Sequence, residues 1–93
     1  MFVHRKPQSR IVGTGPYVPE RIVTNAELAE RLETSEEWIT EHTGIHRRRV
    51  VAPGESTSDM AAEAARRAIH AAGLSAADLD LIILATCTGD SPL

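Results

Sequence analysis

Short apolar runs alternate with amphipathic stretches along the chain, and this alternation predicts the order strand, helices, strand, long helix, strand. The first run, residues 10–13, is β-branched and ends in glycine, which predicts a buried strand. The loop that follows carries Pro16 and Pro19, which prevent a regular ladder there. The last run, residues 80–86, is apolar and predicts a parallel strand covered on both faces. Such βα units are typical of an α/β fold.

Two short helices are predicted from their capping signals. Thr24 or Asn25 can cap the first helix, and Glu27 stands at the capping-box spacing from Thr24. Residues 34–37 repeat this signature for a second helix, for which Gly44 supplies a left-handed end. Acidic residues in the first turn of the second helix also suit the helix dipole.

A strand and a long helix follow. Residues 46–52 are predicted to form the strand, with a turn at residues 53–55. Residues 57–72 are predicted to form the helix, which Gly73 closes, and residues 75–78 add a brief helical turn. The helix has one apolar stripe, made of Met60, Ala61, Ala64, Ala65, Ala68, Ile69 and Ala72.

The composition is that of a small globular protein. The chain has 93 residues, of which 42% are hydrophobic and 25% are charged, with a net charge of -3. This balance argues against a disordered chain and against nucleic acid as a partner. Cys87 is the single cysteine, which rules out an internal disulfide and fits a cytoplasmic protein. We predict a flexible leader at residues 1–9 and part of one domain at residues 10–93.

Three stretches resemble a known family. Residues 11–19 are similar to its opening strand and loop, and residues 34–39, followed by residues 43–45, are similar to its most recognisable early motif. These residues resemble the N-terminal portion of the β-ketoacyl-[acyl-carrier-protein] synthase III family. Three further stretches fit its next strand, helix and strand: residues 47–52, 61–73 and 81–88.

The resemblance implies a thiolase-like fold with α-β-α-β-α layers, of which this chain would form the first part of the N-terminal half. It implies a homodimer that condenses an acyl-CoA, typically acetyl-CoA, with malonyl-acyl carrier protein, with loss of carbon dioxide. The family uses a cysteine nucleophile with a histidine and an asparagine, and no metal or redox cofactor. We expect these three catalytic residues beyond Leu93, and therefore none of them on this chain.

The resemblance also implies three residues that bind coenzyme A. By motif position, Trp38 is similar to the indole that stacks on the adenine of coenzyme A, and Thr34 to a nearby adenine contact. The position of His42 is commonly arginine in the family, where it meets the phosphates. Histidine lacks the guanidinium fork of arginine.

The same residues also have simpler interpretations. Trp38 alone would be interpreted as core packing, because large aromatic side chains mostly bury area. Cys87 follows a predicted strand but lacks a neighbouring base, so we interpret it as a small buried residue. The cationic run at residues 46–49 is either a solvated strand edge or a docking patch for an acidic carrier protein or for the phosphates of coenzyme A.

Three functions therefore remain open from the sequence. The first is the fatty-acid condensing enzyme, with catalytic residues outside this chain. The second is a relative in the same superfamily: a polyketide starter or acyl-transfer enzyme, or a hydroxymethylglutaryl-CoA synthase. The third is a short protein that binds coenzyme A without catalysis.

Overall fold

The computed structural model describes residues 8–91 and contains two strands and three α-helices in that range. Residues 1–7 of the predicted leader lie outside the described residues. The elements in chain order are strand β1 (Arg21–Thr24), helix α1 (Asn25–Arg31), helix α2 (Glu36–Thr43), strand β2 (Arg47–Val50), helix α3 (Thr57–Ala72) and a 3-10 turn (Ala76–Asp78).

The two short helices begin where their capping residues predict. Thr24 caps α1, and its hydroxyl oxygen accepts a 3.2 Å hydrogen bond from the Glu27 N–H. The Ser35 hydroxyl caps α2 in the same way, at 3.1 Å from the Trp38 nitrogen. Gly44 ends α2 with φ 67°, in the left-handed region where glycine avoids the clash of a Cβ. Both predicted helices are confirmed.

Helix α3 has the predicted bounds and ends. Ser56 and Asp59 form a reciprocal capping box at its start, and Gly73 closes it with φ 70°. The predicted stripe is half-buried except for Ala65, which is exposed. His70, on the other side of the helix, is exposed.

Strands β1 and β2 form an antiparallel pair, in register from Arg21 opposite Val50 to Thr24 opposite Arg47. The sequence predicts β2, and the irregular loop that it predicts around Pro16 and Pro19 is confirmed, because residues 13–19 form no strand. The sequence analysis assigns no element to residues 21–24, where β1 lies. The β-branched pair there, Ile22 and Val23, is free to bond with β2.

The sequence analysis predicts strands at residues 10–13 and 80–86, and both predictions are wrong. Neither is a strand in the described part of the chain. A strand requires a neighbour for its N–H and C=O groups, and residues 8–91 provide no ladder for these two segments. Ile11 and Ile83 are therefore 85% and 83% exposed.

Residues 13–17 lie against α3. A Cβ built on Gly15 would lie 2.3 Å from the Ala68 nitrogen and 2.5 Å from the Ala64 carbonyl oxygen, and one on Gly13 would lie 2.6 Å from the Ala68 carbonyl oxygen. Glycine is required at both positions because the two backbones approach so closely. The Arg67 guanidinium donates a 2.9 Å hydrogen bond to the carbonyl oxygen of Pro16 and fixes the same segment.

The core sits between the strand pair and the short helices. Val23 and Ile39 are buried at 0% and 7% exposure, Pro19 is buried beside the start of β1, and the polar Asn25 is buried with them. Helix α1 packs against both β1 and α2. This cluster fixes the position of α2 and therefore of its exposed side chains.

Candidate functional site

The candidate site is centred on Trp38, the only tryptophan in the chain. Its backbone N–H donates to the Ser35 hydroxyl, so the indole projects from the first turn of α2. The following residue, Ile39, is buried and holds the opposite face of the helix against the core. Trp38 remains 52% exposed, which leaves part of the indole surface open to a ligand.

His42 lies one helical turn after Trp38 and stacks on it. The two ring centroids are 4.0 Å apart and the ring planes differ by 18°. The Nδ1 atom of His42 lies 2.8 Å from the carbonyl oxygen of Trp38. A carbonyl oxygen can only accept a hydrogen bond, so Nδ1 carries the proton and donates it. This contact orients the imidazole, and the imidazole then limits the motion of the indole.

A hollow of about 600 Å³ opens beside the indole, lined by Glu33, Thr34, Ser35 and Trp38. Within the described part of the chain, the Thr34 hydroxyl oxygen is buried and has no hydrogen-bond partner. An unpaired buried hydroxyl costs free energy, and a rotation about χ1 could turn it toward a donor or acceptor in the hollow. Thr34 and Trp38 therefore lie at the same hollow, as the sequence predicts for two parts of one site.

The charges around the indole are mostly negative. Glu33 lines the hollow itself, and α2 contributes Glu36, Glu37 and Glu41, which line a second hollow with Thr40. Within α2 the single basic side chain is that of His42.

Asn25 fixes α2 relative to the strand pair. Its side-chain nitrogen donates to the Thr40 hydroxyl at 3.1 Å and to the Ile45 carbonyl oxygen at 2.7 Å. Its side-chain oxygen accepts a 2.6 Å hydrogen bond from the Arg48 guanidinium. Arg48 also donates to the Val23 carbonyl oxygen at 3.2 Å, so the Asn25 amide and the Arg48 guanidinium together join β1, α2 and β2.

No family model matches the chain. The sequence is 56% identical over 84 residues to β-ketoacyl-[acyl-carrier-protein] synthase III of Laribacter hongkongensis strain HLHK9, covering 90% of this chain and 26% of that protein. It is 58% identical over 83 residues to the synthase III of Hyphomonas neptunium strain ATCC 15444, covering 89% of this chain and 26% of that protein. The chain is a homologue of β-ketoacyl-[acyl-carrier-protein] synthase III over this length. It spans about a quarter of the length of the curated relatives it matches.

Solved structures agree with the homology. The synthase III of Aquifex aeolicus VF5 superposes with a TM-score of 0.67 at 45% identity, over 70% of this chain and 21% of that one. A priming β-ketosynthase from the R1128 polyketide pathway superposes with a TM-score of 0.77 at 39% identity, over 86% of this chain and 24% of that one. The predicted α/β, thiolase-like fold class is confirmed.

The cationic run has a structural role in this synthase III homologue. Alternation along β2 leaves Arg47 and Arg49 exposed and Arg48 half-buried, as the strand period predicts. Arg48 bonds to Asn25, and Arg49 donates a 3.0 Å hydrogen bond to the Pro19 carbonyl oxygen. Two of the three guanidinium groups therefore hold the strand pair in place.

Cys87 is exposed, and the expectation that it is buried is wrong. Cys87 follows residues 80–86, and no other part of the described chain covers this segment or the cysteine. In the described residues, no helix has the length and apolar character needed to cross a membrane.

Sequence reasoning missed two contributors to the site. Glu33 lines the hollow but lies in the turn between helices, where a single acidic residue gives no distinctive signal. Asn25 is singled out only as a capping candidate, whereas Thr24 caps α1 and the Asn25 side chain forms the buried junction. Asparagine is so common as a helix cap that its presence at a helix start does not reveal a tertiary contact.

Proposed function

We propose that this chain contributes the coenzyme A side of a fatty-acid condensing enzyme. The reaction joins an acyl-CoA, typically acetyl-CoA, to malonyl-acyl carrier protein with loss of carbon dioxide and yields 3-oxoacyl-acyl carrier protein. The homology at 51–58% identity to synthase III proteins carries this proposal. Acyl-CoA and acyl carrier protein are the proposed partners, in a cytoplasmic homodimer.

In this proposal Trp38, Thr34 and His42 form the adenine end of the coenzyme A site. The half-exposed indole offers a flat surface of the kind that purines stack on. The Thr34 hydroxyl, unpaired in the described chain, can bond to the edge of the base after a χ1 rotation. His42 supports the site by stacking on the indole.

The bond-making cysteine, histidine and asparagine are proposed to lie outside these 93 residues. An acyl-enzyme forms when a cysteine thiolate attacks the thioester carbonyl and releases coenzyme A. Cys87 is not assigned this role, because no helix begins at it within residues 8–91. The first reaction thus needs residues that this chain does not supply.

Two measurements test the proposal. Equilibrium dialysis with acetyl-CoA should show binding that Trp38→Ala abolishes and Trp38→Phe largely retains, because phenylalanine keeps an aromatic face. An assay of the 93-residue chain with acetyl-CoA and malonyl-acyl carrier protein should show no turnover. Turnover by this chain, or binding unaffected by Trp38→Ala, would contradict the assignment.

A polyketide priming enzyme is the second candidate, because the R1128 priming β-ketosynthase superposes over 86% of the chain. The two functions share the proposed coenzyme A site and differ in the acyl group transferred. A series of acyl-CoA donors assayed with the whole enzyme separates them. Preference for acetyl-CoA supports the fatty-acid function, and preference for a longer or branched starter supports the polyketide function.

A further inference from the structure

We propose that the site on this chain binds the base of an adenine nucleotide without recognising its phosphates, and that His42 is a positioning residue for the Trp38 indole. This inference rests on the proposed function and specifies which part of the ligand these residues select. In this inference His42 holds the Trp38 indole in place and does not serve as a cation that binds a phosphate.

The contacts of His42 fix its ring against the indole. One ring face lies against the indole at 4.0 Å between centroids, and Nδ1 donates its proton to the Trp38 carbonyl oxygen. With Nδ1 engaged in this way, Nε2 is the one ring nitrogen that a ligand can reach. The same stack covers one indole face, so the other face is the one on which a base can stack.

The charges near the hollow disfavour phosphate as well. Glu33 lines the hollow beside Trp38, and Glu36, Glu37 and Glu41 follow on α2. Glu36 and Glu37 occupy the first turn, where they already complement the positive end of the helix dipole. These carboxylates act over a Debye length of about 10 Å at moderate salt, a distance comparable to the ligand itself.

Two of the three arginines of β2 are already bonded within the chain. The Arg48 guanidinium bonds to the Asn25 side chain and the Val23 carbonyl oxygen, and Arg49 bonds to the Pro19 carbonyl oxygen. Base stacking is the main attraction that the residues lining the hollow offer to a nucleotide. Phosphate groups of a coenzyme A ligand would have to be bound outside this hollow.

The test compares adenosine with adenosine 3′,5′-bisphosphate, using Trp38 emission in the full chain. The bisphosphate is expected to bind no more tightly than adenosine at any salt concentration, and more weakly at low salt, because the carboxylates near the hollow repel it and salt screens that repulsion. A bisphosphate that binds tenfold more tightly at low salt would overturn the inference and leave the coenzyme A proposal standing. If neither compound changes the emission, the proposed function fails and the inference fails with it.

Variants of His42 separate positioning from phosphate binding. His42→Phe keeps a stacking ring without a charge, so both compounds should bind as they do to the unchanged chain. His42→Ala removes the stack, and it should weaken both compounds equally and lower the fluorescence anisotropy of Trp38. Selective loss of the bisphosphate in His42→Phe would show that His42 binds phosphate and would overturn the inference.

Variants that add a positive charge or remove a negative charge at the site should create a preference for the bisphosphate. His42→Arg should tighten the bisphosphate about fivefold without tightening adenosine, since one exposed charge contact contributes that much. The control His70→Arg adds the same charge to the exposed last turn of α3 and should change neither affinity. Glu33→Gln should also favour the bisphosphate, whereas the exposed Glu30→Gln should not. Equal effects of site and control variants would contradict a local charge barrier.

Discussion

Asn25 is 4% exposed and makes hydrogen bonds to three parts of the chain at once. It bonds to Thr40 on α2, to Ile45 after α2, and to Arg48 on β2. A buried amide with all these partners stabilises one arrangement of the three segments, because any other leaves its polar atoms unpaired. The position of Trp38 therefore depends on a residue that does not touch it.

Asn25→Ala should loosen the junction between α2 and β2. The change leaves the Ile45 carbonyl and the Arg48 guanidinium without this partner, at a cost of about 1–3 kcal/mol. Amide hydrogen exchange in β2 should accelerate about tenfold or more. The matched control Glu30→Ala changes an exposed position of α1, so equal exchange in both variants would contradict the structural role of Asn25.

Asp90 illustrates a second local effect, this time on a pKa. Its carboxylate accepts hydrogen bonds from the Ser58 hydroxyl and, at 3.1 Å, from the Ser58 N–H, and these bonds hold the pKa of Asp90 below its ordinary value. A carboxyl group whose pKa is lowered by folding stabilises the contact above the unfolded-state pKa. The stabilisation is lost as the pH falls through the folded-state pKa.

Ser58→Ala should raise the pKa of Asp90 toward that of a free aspartate, because both the hydroxyl donor and the position of the N–H are affected. Carbon-13 NMR titration of the Asp90 carboxyl group measures this. Ser35→Ala removes a hydroxyl that caps α2 and serves as the control. A pKa of Asp90 that is unchanged in Ser58→Ala would mean that the contact does not form in solution.

At the scale of elements, the bounds of α3 are specified by its own sequence, and the segment at residues 13–17 packs against this helix. Small side chains at Ala64 and Ala68 allow backbone contact, and Gly13 and Gly15 complete it from the other side. The contact is strengthened by Tyr17, whose hydroxyl donates to Glu55 and whose ring lies 5.5 Å from the Arg67 guanidinium carbon.

Gly15→Ala should separate residues 13–17 from α3. The new Cβ would clash with backbone atoms of α3, which cannot rotate away, at a cost of about 1–3 kcal/mol. Nuclear Overhauser contacts between Tyr17 and α3 should disappear. Gly89→Ala is the control, because the atom nearest to a Cβ at this position would lie 3.8 Å from it. Persistence of the contacts in Gly15→Ala would contradict the close approach.

Helices could be predicted from the sequence because their signals are local. Ser56 with Asp59 and the terminal Gly73 define α3 without reference to any other segment. Strands could not be predicted so well, because a strand exists only with a partner. Val23 enters β1 because β2 is beside it, whereas Ile83 has an equally suitable side chain and lies in no ladder within the described residues.

For the candidate site, the motif resemblance predicts Trp38, Thr34 and His42 as coenzyme A contacts, and their role in binding stays a prediction. The stack of His42 on the indole was not predicted, although the i, i+4 spacing on a helix permits it. Asn25 and Glu33 were missed because their roles depend on distances between segments. Candidate residues could thus be proposed from the sequence, and the geometry that brings them together could not.

The whole molecule is far from compact. Its radius of gyration is 19.4 Å, whereas a compact domain of this length has about 12 Å. Its accessible surface is 8422 Å², compared with about 5300 Å² for a folded monomer of this mass. Much of the excess is apolar, since Leu81, Ile82 and Ile83 are 76%, 79% and 83% exposed. An isolated chain with this surface tends to associate.

Self-association of the 93-residue chain at micromolar concentrations is therefore expected, with binding of a hydrophobic dye. The double variant Ile82→Asp and Ile83→Asp should reduce association without changing the helical circular dichroism, because both side chains are exposed. Val23→Asp places a charge at a fully buried position and should instead reduce the helical signal. Analytical ultracentrifugation measures the outcome, and a monomeric unchanged chain would contradict the prediction.

The central claim is that the α2 indole binds the adenine group of coenzyme A. The most direct measurement is a titration of the chain with coenzyme A, following the emission of Trp38, which is the only indole present. Stacking should change the emission along a saturable curve, because half of the indole surface is open to the ligand. Emission that stays constant up to millimolar coenzyme A would contradict the account.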